Sequence, residues 1–191
     1  MQNILNLDNA TSFYRYGIEQ PHLPVINYCL DNLKFDGLIL EFGVWTGIST
    51  NFIAKKIAPK VVHAFDSFEG LSESWNNLPK GYFKENVENL KFEPNVHLVI
   101  GWYNDTVQKF SIQNKQPASF INIDCDLYSS TKEVLYGLNI NIMPGTIIYF
   151  DEFYDNGEYK AFKEWIEDTN RKYRAIAYND VAGIAIEITN R

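Results

Sequence analysis

Acidic residues recur where short apolar runs end. Glu41 closes "GLILE" ahead of Gly43 and Gly47, and Asp66 closes "KVVHAFD". Asp124 closes "ASFINID", with Asp126 two residues on, and Asp151 and Glu152 close "TIIYFDE". Carboxylates offer hard oxygen atoms. One can accept two vicinal hydroxyls, several together can hold a divalent cation, and a desolvated one can take the proton of a reacting hydroxyl. Asp is also common in strand-to-helix turns, so any one of these positions alone has a plain structural explanation. The argument for chemistry is their recurrence. Of the five apolar runs only "NVHLVIG" lacks a terminal acid, and it leads into Gly101 and Trp102.

Each position suggests a different contact. Residues 41–47 read E-x-G-x-x-x-G. Glycine lets backbone approach a ligand closely, and a helix start beyond it offers free N–H groups. The pattern differs from the G-x-G-x-x-G of nicotinamide sites. Its leading acid repels a pyrophosphate and suits an ammonium group, such as that of a methionyl end. Asp66 follows about one βαβ unit later and can accept both hydroxyls of a ribose. Trp102 offers a wall for an adenine-sized ring, Phe68 is a competing wall, and either can instead close the core. Asp124, Asp151 and Glu152 would repel one another unless a cation or shared protons intervened. A magnesium ion held there could bind a diol and lower the pKa of a hydroxyl. The alternative is that Asp126 and Glu152 cap helices and only Asp124 faces a ligand. His63 and His97 fall inside strand patterns and read as structural, whereas His22 could face a substrate.

These residues need a scaffold that brings run ends together. The apolar runs at 37–42, 60–66, 95–101, 118–124 and 146–152 lack strict alternation, as expected of strands buried on both faces. Helical spacing is read over residues 1–36 as a lead-in, with Val25, Ile26, Cys29, Leu30 and Leu33 near one face, and again at 49–58, 131–139 and 158–171. Ser49 or Thr50 is the expected cap of the second of these. "YRAIAY" and "GIAIEIT" stand at hairpin spacing. The alternation predicts a three-layer, Rossmann-like α/β fold with a mostly parallel sheet and an antiparallel end. In such sheets ligands bind beyond the carboxyl ends of the strands. The long polar and aromatic segment 70–94, with Trp75, Tyr82 and Phe83, is a candidate lid over them. An ordinary crossover helix is the alternative.

The 191 residues show no repeat or linker and suit a single domain over 1–191. A net charge of −7 argues against broad nucleic-acid or membrane-surface binding. The two cysteines, Cys29 and Cys125, imply neither zinc spacing nor a disulfide framework. "MQNILNLDNATSF" has no basic start and no apolar run of a secretion signal, so a cytoplasmic location is expected. Phe13, Tyr14 and Tyr16 could pack against a second copy, giving a homo-oligomer.

In this order, "LEFGVWTG", "AFDSFEGL", "IDCDLYSST" and "GTIIYFDEF" resemble class I S-adenosylmethionine-dependent methyltransferases. The macrocin O-methyltransferase-like family is the nearest group, and it includes enzymes that methylate sugar hydroxyls of natural products. The likeness spans roughly residues 37 to 188. It implies a seven-stranded sheet with an antiparallel last strand. It implies cofactor contacts from Glu41, Gly43, Asp66 and Asp124, to which the flanking turns add Thr46, Gly47, Ser67, Phe68, Gly101 and Trp102. It also implies Mg²⁺ on Asp124, Asp151 and Glu152. Three departures stand out: Glu152 where the family has a second Asp, Cys125 where it has Gly, and a reduced N-terminal portion. Catechol-type relatives place a lysine base three residues after the first metal acid. Leu127 stands there, and Lys132 is a poor substitute, so Asp124 or Asp126 is the expected base. The expectation is O-methylation of a small-molecule acceptor such as a sugar, with magnesium assistance. The competing expectation is a nicotinamide-dependent oxidoreductase or a hydroxylase, which the absent G-x-G-x-x-G and the tail hairpin disfavour.

Overall fold

The computed structural model describes residues 5–14, 19–154 and 157–190. Tyr16 of the aromatic lead-in lies outside them. One sheet runs through the molecule. Its strands are β1 (Thr11–Phe13), β2 (Leu38–Phe42), β3 (Val62–Asp66), β4 (Val96–Ile100), β5 (Ala118–Ile123), β6 (Ile147–Phe150), β7 (Lys172–Asn179) and β8 (Ile184–Asn190). Their order is β1-β7-β8-β6-β5-β2-β3-β4. Every neighbouring pair is parallel except β6–β8 and β7–β8, so β8 alone is reversed. The expected seven strands are therefore eight. The additional strand, β1, is three residues long and pairs with the edge of β7. It carries no apolar run, because edge pairing is made by backbone alone, and the sequence gives no sign of it. For the same reason the lead-in is not uniformly helical.

Helices α1 (Leu23–Asp31), α2 (Ile48–Ile57), α3 (Tyr103–Gln113), α4 (Tyr128–Gly137) and α5 (Gly157–Thr169) cover the sheet. Leu40, Phe42, Phe65 and Ile123 pack with Phe110, Phe162 and Trp165 on one face. Ile39, Phe120 and Tyr149 pack with Val25, Ile26, Ile53 and Ala54 on the other. Both faces being covered, all five residues of β2 and all six of β5 are buried, which is why these strands read as unbroken apolar runs. Ser49 and Thr50 do not cap α2. They lie inside it and are buried, and Gly47, with φ of +79°, makes the entry turn instead. α3 went unread because Val107 and Phe110 are its only large buried side chains.

The 70–94 segment contains no crossover helix. It has one 3-10 turn (Val87–Asn89) and folds back on itself. The Leu71 N–H donates to the Tyr82 carbonyl at 2.8 Å and the Gly81 N–H to the Leu71 carbonyl at 2.9 Å. Among the described residues no helix is long and apolar enough to cross a membrane. Both cysteines are free and buried.

Candidate active site

The ladder continues one residue past each central strand, and this builds the site. The Gly43 N–H donates to the Phe65 carbonyl (3.1 Å), Asp124 to Phe42 (2.8 Å), Asp151 to Ile123 (3.0 Å) and Gly101 to Asp66 (3.0 Å). Parallel register thus sets Gly43, Asp66, Gly101, Asp124 and Asp151 along one rim. A cleft of about 330 Å³ opens over it. Of the residues expected from sequence, Gly43, Thr46, Asp66, Ser67, Gly101, Trp102, Asp124, Asp126, Asp151 and Glu152 line the cleft. Gly47, Phe68 and Glu41 do not. Gly47 abuts the Phe92 ring, and Phe68 packs against Val44 and Ala64.

Glu41 lies beneath the glycine turn with no solvent exposure. Its Oε1 accepts from Asn122 Nδ2 at 3.0 Å, tying β2 to β5. Burial pushes its pKa up to about 7, although Thr50, Ser49 and Asn122 draw it partly back. The ordinary value is 4.5. Between these two values the folded chain holds a proton that the unfolded chain has released, so folding stability falls as pH rises through that window. Glu41→Gln is expected to remove this loss, gaining about 3 kcal/mol on the wild type between pH 4.5 and 7.5. Urea midpoints at the two pH values check it.

Asp66 is held by backbone amides. Its Oδ2 accepts from the N–H groups of Val44 (2.8 Å) and Trp45 (3.0 Å), and its Oδ1 from that of Phe68 (2.7 Å). The carboxylate therefore shapes the 43–47 turn, whatever it offers a ligand.

The acids at the other end of the rim act on one another. Burial raises the pKa of Asp124 well above the carboxylate range, and the charges of Asp151, Asp126, Glu158 and Glu41 add to the effect. Asp151 Oδ1 accepts from the Tyr149 hydroxyl at 2.8 Å. His22 sits at the start of α1 and lines the cleft. Burial lowers its pKa, while Asp151 pulls it upward. The Tyr103 phenol, at the start of α3, is held neutral by burial and by neighbouring Cys125, Asp66, Asp124 and Asp126. Burial, then the charge of Glu158, likewise keep the Cys125 thiol protonated, against the pull of its contact with Thr131.

Glu158 escaped the sequence reading. It is fully buried in the first turn of α5, and its Oε2 accepts from the Glu152 N–H at 3.1 Å. Burial, then Asp151 and Asp126, hold its pKa well up. A first-turn Glu looks like a helix-dipole residue, which hid this role. Gln20 was also missed.

The donor set at this end is hard oxygen, the chemistry magnesium prefers. Even so, among the described residues no three His, Cys, Asp or Glu side chains are gathered into a metal-holding group.

A mostly parallel sheet with a reversed last strand, and an acidic cleft over the exits of its central strands, is the class I methyltransferase architecture. The chain belongs to the methyltransferase domain family, whose profile matches residues 40–153. A relative from Streptomyces olivaceus, 8-demethyl-8-(2,3-dimethoxy-alpha-L-rhamnosyl)-tetracenomycin-C 4'-O-methyltransferase, is 24% identical over 155 residues. That match covers 67% of this chain and 58% of the relative, so the chain spans little more than half of that protein's length. Among solved structures, calicheamicin methyltransferase CalS11 superposes with a TM-score of 0.72 at 20% identity, covering 86% of this chain and 77% of that one. The MycE methyltransferase of mycinamycin biosynthesis, solved with Mg, SAH and mycinamycin VI, gives 0.62 at 13% identity, covering 92% of this chain and 51% of that one. Likeness at these identities is likeness of fold.

Proposed function

We propose that this chain transfers the methyl group of S-adenosylmethionine to a hydroxyl of a small-molecule acceptor, with a sugar hydroxyl of a natural product as the acceptor class. The observation that carries the reading is the row of acids on one rim, beside a glycine turn and an aromatic wall, in a chain of the methyltransferase domain family. The name of the Streptomyces olivaceus relative, which methylates a rhamnosyl compound, supports the sugar.

The cofactor supplies an electrophilic methyl carried on a sulfonium. The chain's part is to bind, orient and deprotonate. Gly43 and Thr46 receive the methionyl end, Asp66 and Ser67 the ribose, and Gly101 and Trp102 the adenine. Glu41, Gly47 and Phe68 support this surface from below. Asp124 faces the sulfonium and steadies it by charge. Asp124 or Asp126 takes the acceptor's hydroxyl proton onto a carboxylate oxygen. A divalent cation would be held by Asp124 and Asp151 with Glu152, and there it would supply a Lewis acid that lowers the hydroxyl's pKa. The 70–94 segment, which brings Leu71, Trp75 and Phe83 to the cleft, excludes water.

Calorimetric titration with S-adenosylhomocysteine and, separately, with NADH tests the reading. Binding of the first alone is expected. NADH binding with no response to the first would replace methyl transfer with an oxidoreductase reading.

A further inference from the structure

The turn between β7 and β8 reaches the cleft through two buried side chains. Asn179 ends β7 and is 2% exposed, and Tyr149 of β6 is fully buried. An amide and a hydroxyl in such places destabilise the fold unless each is bonded. Their bonds run in one direction. Asn179 Oδ1 accepts from the N–H groups of Val181 (3.0 Å), Ala182 (3.1 Å) and Gly183 (2.9 Å). Three donors on one oxygen settle the orientation of the amide, because turned over its NH₂ group would face three N–H groups. Asn179 Nδ2 therefore points at Tyr149, whose oxygen accepts from it at 3.3 Å. With that side of the oxygen taken, the hydroxyl proton goes to Asp151 Oδ1 at 2.8 Å. The same Nδ2 stands 3.5 Å from the Pro21 carbonyl, which directly precedes His22. Gly183 leaves the space for this arrangement. A Cβ there would stand 2.2 Å from the Tyr149 hydroxyl and 2.7 Å from Asn179 Nδ2.

From this we infer that Tyr149 and Asn179 are positioning residues for Asp151. The β7–β8 turn fixes the amide, the amide fixes the hydroxyl, and the hydroxyl holds Oδ1, so that Oδ2 is the oxygen presented to the cleft. Neither residue lines the cleft, whereas Asp151 does. The amide's second contact, at Pro21, holds the approach to α1 from the same point, and Gln20 and His22 of that approach also line the cleft. For what Asp151 then does, the inference rests on the methyltransferase reading above. A carboxylate already held in one orientation opposes the charge of a sulfonium without having to reorganise when the cofactor arrives.

The test compares the whole wild-type chain with Tyr149→Phe and Asn179→Asp. Asn179→Asp keeps an oxygen for the three amides and replaces the donor by a second acceptor, so the Tyr149 proton is expected to turn from Asp151 to the new carboxylate. Crystal structures of all three are expected to show the β7–β8 turn unchanged, with Asp151 Oδ1 on the Tyr149 hydroxyl in the wild type alone. Calorimetric titration with S-adenosylmethionine and, separately, S-adenosylhomocysteine reads the consequence, since the two differ by the charge on sulfur. In Tyr149→Phe the ratio of the first affinity to the second is expected to fall by about 3–10-fold, with the affinity for S-adenosylhomocysteine kept within about twofold. A pair that served only the fold would lower both affinities together, in step with the melting temperature, and that result overturns the inference. So does an Asp151 side chain that stays in place in both variants, or an unchanged ratio in a folded Tyr149→Phe. Should Tyr149→Phe fail to fold, the position of Asp151 in Asn179→Asp decides. Failure of both cofactor forms to bind the wild type would instead remove the methyltransferase reading, and the side-chain positions would still judge the positioning.

Discussion

Asp124→Asn is expected to lower methyl transfer by about 10²–10⁴-fold while the chain stays folded. Asp124 is fixed on the rim by its own N–H, which donates to the Phe42 carbonyl at 2.8 Å, a contact that Asn keeps. The substitution therefore changes the side chain's charge and its capacity for a proton, with little change of shape. Loss of rate follows because amide nitrogen and oxygen neither accept the acceptor's proton nor oppose the sulfonium's charge. Stability moves the other way. Burial and four neighbouring acids disfavour the ionised form in the fold, so ionisation of Asp124 weakens the folded state as pH rises above the ordinary carboxylate value. The Asn variant is relieved of that loss, and its melting temperature at pH 8 is expected to equal or exceed the wild type's. Rates with a labelled methyl donor and a thermal melt read both effects. Unchanged activity in a folded Asn variant would place Asp124 outside the chemistry.

The second large effect is expected at the glycine turn. Gly43 adopts φ of +97°, and a Cβ there would stand 1.7 Å from the Asp124 carbonyl oxygen and 2.7 Å from its carbon. No rotamer relieves a clash with backbone, so the exits of β2 and β5 must separate. Gly43→Ala is expected to cost more than about 3 kcal/mol and to abolish binding of S-adenosylhomocysteine. Gly81→Ala is the control. It shares the strained backbone, with φ of +82°, but a Cβ there meets nothing nearer than 3.9 Å. Its cost should be about 1–2 kcal/mol, with binding retained. Urea denaturation and calorimetry on both variants separate strain from collision.

Much of this was legible in the sequence, and the exceptions have physical causes. Buried parallel strands announce themselves as apolar runs, so the acids at their ends could be placed on one rim before any coordinates. The interior position of Glu41 was also within reach, since it stands two residues after Ile39 and shares the face that α1 and α2 cover. What stayed hidden depends on backbone or on distant partners. Three amide donors hold Asp66, and backbone N–H groups leave no mark on residue identity. Pairing of β1 with β7 is likewise a main-chain event. Glu158 joins the acids only because α5 packs its first turn behind the β6 exit.

The central claim is that the rim holds a sulfonium donor between the glycine turn and the acids. A crystal soaked with S-adenosylhomocysteine and Mg²⁺ tests it most directly. The product is predicted to run from the Gly43 turn to Trp102, with its ribose hydroxyls on Asp66 and its sulfur turned toward Asp124 and Asp151. Density for the product at another surface, with this cleft left open, would contradict the account.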